Sequence, residues 1–185
     1  MTDHWHDAGD EGVCKCKPSA AAQTLDEMDF ERGIWTAALY GDMKRLEIAI
    51  QRGATNDCDN SGYTALHYAA RAGHMEACTR LLAAGADVNC TTNGGVTPLH
   101  RAAMMGRVAI VEFLCQHGAH TATCDSDGQN ALHRAAHGGH KDVIEYLVAR
   151  DASLRDVCDK RGRFPCDLAP NDDLRNLLAP QKSLR

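Results

Sequence analysis

At 185 residues, 44% of them apolar and only 5% aromatic, the chain holds one ordinary domain or a short array, with alanine and leucine rather than large rings filling its core. A formal charge of −5, from 20 Lys+Arg against 25 Asp+Glu, forces no basic face and makes direct binding of duplex nucleic acid an unfavoured expectation. No apolar run is long enough to span a bilayer, and the acidic opening MTDHWHDAGDEG is neither a secretory nor a mitochondrial leader, so the nine cysteines are expected as thiols in a reducing compartment.

Residues 1–28 read as an acidic tail, disordered or partly helical. The tail carries His4, His6, Cys14 and Cys16, which support two readings. In one, the cysteines are incidental. In the other, the tail forms a small zinc knot or folds around a partner, although H-x-H with C-x-C lacks the C-x2-C spacing of common zinc modules.

From residue 29 to residue 178 the chain repeats itself. TALHYAARAGH begins at Thr64, TPLHRAAMMGR at Thr97 and NALHRAAHGGH at Asn130, so His67, His100 and His133 recur every 33 residues. WTAALYGD, from Trp35, is a weaker first copy, and GRFPCDLA, from Gly162, is a weaker last copy displaced by one inserted residue. The units run over about 30–61, 62–94, 95–127, 128–161 and 162–178, and residues 179–185 form a short C-terminal tail. End units of a stacked array have one face in water, and are expected to drift from the pattern.

Each unit predicts a helix, a turn, a second helix and a hairpin. Thr64, Thr97 and Asn130 are N-caps. Pro98 occupies a first helical position, where a missing N–H does no harm. Leu66, Leu99 and Leu132 point inward, paired alanines let neighbouring helices approach closely, and Gly73, Gly106 and Gly139 close the first helix. The second helix carries Cys78, Leu81 and Leu82, then Ile110, Val111 and Leu114, then Val143, Ile144 and Leu147, at helical spacing. Gly85 and Gly118 end it, with Asp151 at the equivalent place in the fourth unit. The polar stretch before the next cap is a hairpin.

The string GGVTPLHRAA and its copies resemble the ankyrin repeat. The resemblance implies an all-α solenoid of about five helix-turn-helix units with hairpin loops and degraded end units. It further implies a concave face, built from hairpins and first helices, that binds another protein. Histidines such as His67, His100 and His133 bridge adjacent units in this family. Trp35 and Asp167 stand in their places at the two ends, where the network is expected to be incomplete. Asn89 matches a position that is hydroxylated in some ankyrin proteins, and hydrogen bonding within the hairpin is its default role.

Cys58, Cys124 and Cys158, each followed by aspartate and then by glycine, mark the repeat rather than a metal site. Equivalent positions stand roughly 8–10 Å apart per unit, whereas zinc ligands converge to about 2 Å from one ion. Asp59, Asp125 and Asp159 are expected to hydrogen-bond their own turns. The chain contains no catalytic string, so no enzyme activity and no cofactor are expected.

Three columns of first-helix positions are then candidates for partner contact. They are Thr36, Tyr68, Arg101 and Arg134; Leu39, Arg71, Met104 and His137; and Tyr40, Ala72, Met105 and Gly138. Tyrosine, arginine and methionine together make an interface-like mixture, although a solvated face and core filling by one methionine are the competing readings. The arginines Arg71, Arg101 and Arg134 point to a partner with an acidic or mixed patch. The leading expectation is an adaptor, inhibitor or assembly subunit that is monomeric alone and works in the cytoplasm, with access to the nucleus. A transcription-factor-associated regulator and a metal-responsive protein using the tail are the alternatives.

Overall fold

The computed structural model describes residues 33–179. Within them ten α-helices and one 3-10 helix follow one another, and no strand forms among the described residues beyond an isolated antiparallel bridge between Cys58 and Thr64. The first helices of the units are α1 (Ile34–Tyr40), α3 (Ala65–Ala72), α5 (Pro98–Met104), α7 (Ala131–Gly138) and α9 (Pro165–Leu168). The second helices are α2 (Met43–Gln51), α4 (Met75–Ala83), α6 (Val108–Gln116), α8 (Lys141–Arg150) and α10 (Asp172–Leu178). The expected all-α solenoid of helix-turn-helix units is what the chain forms.

First helices stack most closely on one another, and each also packs on its own second helix. Close stacking is possible because the facing residues are small. Ala37, Ala38, Ala69, Ala70, Ala102, Ala103, Ala135 and Ala136 are all buried. Larger side chains from both helices complete one continuous core: Leu66, Leu99 and Leu132 from the first, and Leu81, Ile110, Leu114, Ile144 and Leu147 from the second. Leu82 only borders that core. No element could bury its apolar face without its neighbours, which is the physical basis of a stacked array.

The hairpins are held by a turn repeated in each loop. Asp59 N–H donates to Tyr63 O, Thr92 N–H to Val96 O, Asp125 N–H to Gln129 O and Asp159 N–H to Arg163 O, at 2.9–3.0 Å. Successive tips are also tied together, Asn93 N–H to Ser61 O at 3.0 Å, Ser126 N–H to Gly94 O at 2.8 Å and Lys160 N–H to Asp127 O at 2.9 Å. The loops thereby join into a continuous rim along the stack.

The fourth unit departs from the periodic pattern. Gly85 and Gly118 end their helices at φ of 83° and 87°, a conformation an L side chain resists. Asp151, on the same spacing, instead turns extended at φ −150° and accepts hydrogen bonds from Ser153 N–H and Oγ. A 3-10 helix, Ala152–Asp156, follows and absorbs the extra residue of that unit.

Candidate protein-binding face

Two ladders lock the units in register. In the first, a buried histidine sits in the third helical position. Thr64 N–H donates to His67 Nδ1 at 3.1 Å, and Thr97 N–H to His100 Nδ1 at 3.2 Å. A ring nitrogen that accepts carries no proton, so the proton resides on Nε2. That Nε2–H donates across the unit boundary, from His67 to Val96 O at 2.9 Å and from His100 to Gln129 O at 3.0 Å. His133 Nε2 reaches Arg163 O at 3.3 Å in the same way. Burial pulls all three histidines below their ordinary range, His67 to about 4, despite the opposing effect of the carbonyl each one faces. They are neutral spacers rather than acid–base groups.

The ends differ from the middle in an informative way. Trp35 still makes a cross-unit link, its Nε1–H donating to Asp57 O at 3.0 Å, so the indole replaces the imidazole bridge with one to another carbonyl. Asp167 bonds within its own helix, accepting from Phe164 N–H at 2.8 Å and from the Cys166 thiol at 3.9 Å.

The second ladder was not read from the sequence. The residue that opens each of the three middle second helices, α4, α6 and α8, reaches back to the preceding unit. His74 Nε2 bonds Leu39 O at 3.0 Å, Arg107 Nε donates to Arg71 O at 3.3 Å, and His140 Nε2 bonds Met104 O at 2.9 Å. Leu39, Arg71 and Met104 are three of the four residues in the second candidate column. Their backbone is therefore held while their side chains stay accessible.

None of the twelve candidate positions is buried. Tyr40 is 76% exposed at the N-terminal end of the row, Met105 is 38% exposed, and Arg71 and His137 are exposed as well. Thr36, Leu39, Tyr68, Arg101, Met104 and Arg134 are half-buried. Met104 and His137 help line a cleft of about 340 Å³ together with hairpin residues that include Asp127, Lys160 and Arg161. The Met104–Met105 pair is thus divided: Met104 rests partly in the fold, and Met105 stands out where α5 ends.

The aspartates of the hairpins do more than hold their turns. In each, Oδ1 accepts two backbone N–H groups of the turn: Ser61 and Tyr63 for Asp59, Asp127 and Gln129 for Asp125, Arg161 and Arg163 for Asp159. The other oxygen clasps a side chain. Tyr68 Oη donates to Asp59 Oδ2 at 2.6 Å, Arg134 Nε donates to Asp125 Oδ2 at 3.1 Å with Nη2 closing on the same oxygen, and Arg163 Nη2 donates to Asp159 Oδ2 at 2.7 Å. Although burial works against ionisation, the N–H and guanidinium partners hold Asp125 and Asp159 below the usual carboxylate range.

This clasp corrects the simple picture of three equivalent arginines. Arg134 is already paired to the almost fully buried Asp125 carboxylate, so reversing its charge would set two carboxylates together and disturb folding as well as the surface. Arg101 has no such partner among the described residues, and Thr92 stands where its neighbours have aspartate. The signal was present in the sequence as a nine-residue interval, Asp59 to Tyr68 and Asp125 to Arg134, with Thr92 to Arg101 as the odd member.

Cys58, Cys124 and Cys158 are exposed free thiols, and among the described residues no three His, Cys, Asp or Glu side chains gather where an ion could be held. His4, His6, Cys14 and Cys16 lie outside the described residues. Asn89 uses both ends of its amide, donating to Gly118 O at 3.1 Å and accepting from His120 N–H at 2.9 Å, which ties its loop to the next unit.

A repeated cap, a bridging imidazole and a stacked alanine seam define a class of protein, and the chain belongs to the ankyrin-repeat family. The family model described as ankyrin repeats in three copies matches residues 34–123 and 73–160. At the level of whole proteins the chain is similar to human ankyrin repeat domain-containing protein 39, 63% identical over 174 residues that cover 91% of this chain and 95% of that protein. It is also similar to the bovine protein of the same name, 57% identical over 68 residues, 35% of this chain and 37% of that one. Membership of the family implies a protein–protein interaction module. No helix among the described residues is long and apolar enough to cross a membrane.

Proposed function

We propose that the chain acts as an adaptor, inhibitor or assembly subunit that carries out no chemistry and captures a protein partner on the face made by its first helices and hairpin rim. One observation carries the reading. The backbone beneath Leu39, Arg71 and Met104 is pinned by a side chain from the next unit, while Tyr40, Arg71, Met105 and His137 stay open to contact. A surface that is already ordered loses little conformational freedom on binding, so more of the contact energy becomes affinity. The mixture of tyrosine, arginine and methionine suits such a surface.

The test is comparative cross-linking in cells. A chain carrying Tyr40→Glu, Arg71→Glu and Met105→Glu should keep the native circular dichroism and melting profile but lose a specific set of cross-linked proteins. A control changed at the exposed Thr79 and Glu145, on the second helices, should keep that set. Equal recovery by all three chains would refute the proposal.

A further inference from the structure

Resting on that reading of the face, we infer that Arg101 is an anchor for a carboxylate side chain of an acidic partner segment, docked beside Tyr63 where the second and third units meet. The repeat itself shows what is missing. On either side of this unit the hairpin presents an aspartate whose Oδ2 accepts from the residue nine positions later, Tyr68 in one case and Arg134 in the other. In this unit the hairpin presents Thr92. Its Oγ1 takes over the turn, accepting from Val96 N–H at 3.1 Å, but threonine has no second oxygen to offer Arg101.

Arg101 therefore lies half-buried with its Nε enclosed and unbonded, and no described residue forms an ion pair with it. Its guanidinium rests on the Tyr63 ring, 4.8 Å from the centroid, so one face is covered and the terminal nitrogens form the edge left for a ligand. Arg71 and Arg134 both act on it electrostatically, adding to the effect of burial in disfavouring its positive charge. A partly desolvated cation among like charges gains most from a carboxylate, which can take the guanidinium edge-on through two hydrogen bonds. Arg71, exposed, adds a second positive group. Arg134 does not compete for the ligand, being satisfied by Asp125.

Thr92→Asp is the discriminating variant. It restores the group found in the flanking units, so it should raise the melting temperature while neutralising the anchor from within. The purified full chain is panned against a random displayed peptide library. Enriched peptides should share an aspartate or glutamate, and changing that acid to its amide should weaken binding about tenfold. The same change should have no effect on binding to the Thr92→Asp or Arg101→Gln chain. Enrichment without a shared acid, an acid dependence that survives Thr92→Asp, or no enriched peptide at all would overturn the inference. Acid-dependent binding that emerges only after residues 1–28 are removed would also overturn it, by making the chain's own acidic segment the occupant. Peptides that lose binding on Tyr40→Glu and Met105→Glu but show no acid dependence would sink the anchor alone. Peptides indifferent to every substitution on this face would sink the parent reading.

Discussion

Acidification should unlock the histidine ladder before it touches the carboxylates. Burial takes His67 from 6.5 down to about 4 in the fold, while in the unfolded chain it titrates near its ordinary value. Between those two pH values the unfolded chain binds a proton that the folded chain refuses. Stability is thus complete above about pH 6.5, falls as pH falls, and reaches its full loss below about pH 4. At roughly 1.4 kcal/mol per pH unit, His67 alone accounts for about 3 kcal/mol. His100 and His133 are depressed for the same reason. Their titration steepens the acid dependence in the same direction. Asp125 and Asp159 have lowered carboxyl values, and their contribution disappears only below the ordinary carboxylate range, outside this window. Urea unfolding at constant ionic strength, repeated at steps between neutral pH and about pH 4.5, measures the slope. His67→Gln should lower stability at neutral pH, yet flatten the acid dependence by about one proton. Parallel slopes for the native chain and the variant, or stability that rises on acidification, would refute the neutral-ladder account.

Leu99→Ala should cost about 2–5 kcal/mol in the same unfolding assay, because Leu99 is 1% exposed in the middle of the stack; a loss below about 0.5 kcal/mol would contradict its place in the core. Gly106→Ala should destabilise by more than about 1 kcal/mol, since Gly106 sits at φ 67° and an added Cβ would lie 2.5 Å from His140 Nδ1. A variant as stable as the native chain would show that the second ladder yields without cost. Native-state thiol labelling followed by mass spectrometry should mark Cys58, Cys124 and Cys158 first. Cys78, buried and with its thiol pushed up to about 12, should react only on unfolding. Early labelling of Cys78 would mean that α4 opens locally.

Much of this fold was legible because a repeat makes its determinants local. Thr64, Thr97 and Asn130 identify the helix starts, the glycines identify the ends, and paired alanines identify which side is packed. None of these needs a distant partner to be recognised. The Asp151 turn was less legible. Its place in the period suggests a glycine-like ending, and only the inserted residue beyond it forces the 3-10 detour.

By itself the sequence determined the architecture: a family, a repeated helical unit, a core and a row of side chains left outside it. The tertiary structure decided which members of that row are free. Arg101 and Arg134 occupy the same column and have identical side chains, yet Arg134 is tied to Asp125 while Arg101 Nε is buried with no acceptor among the described residues. Periodicity places a backbone, because helix and turn chemistry acts between near neighbours in the chain. The charge a surface presents depends on which oxygen meets which nitrogen after the hairpin folds back, and a single threonine in place of aspartate changes it.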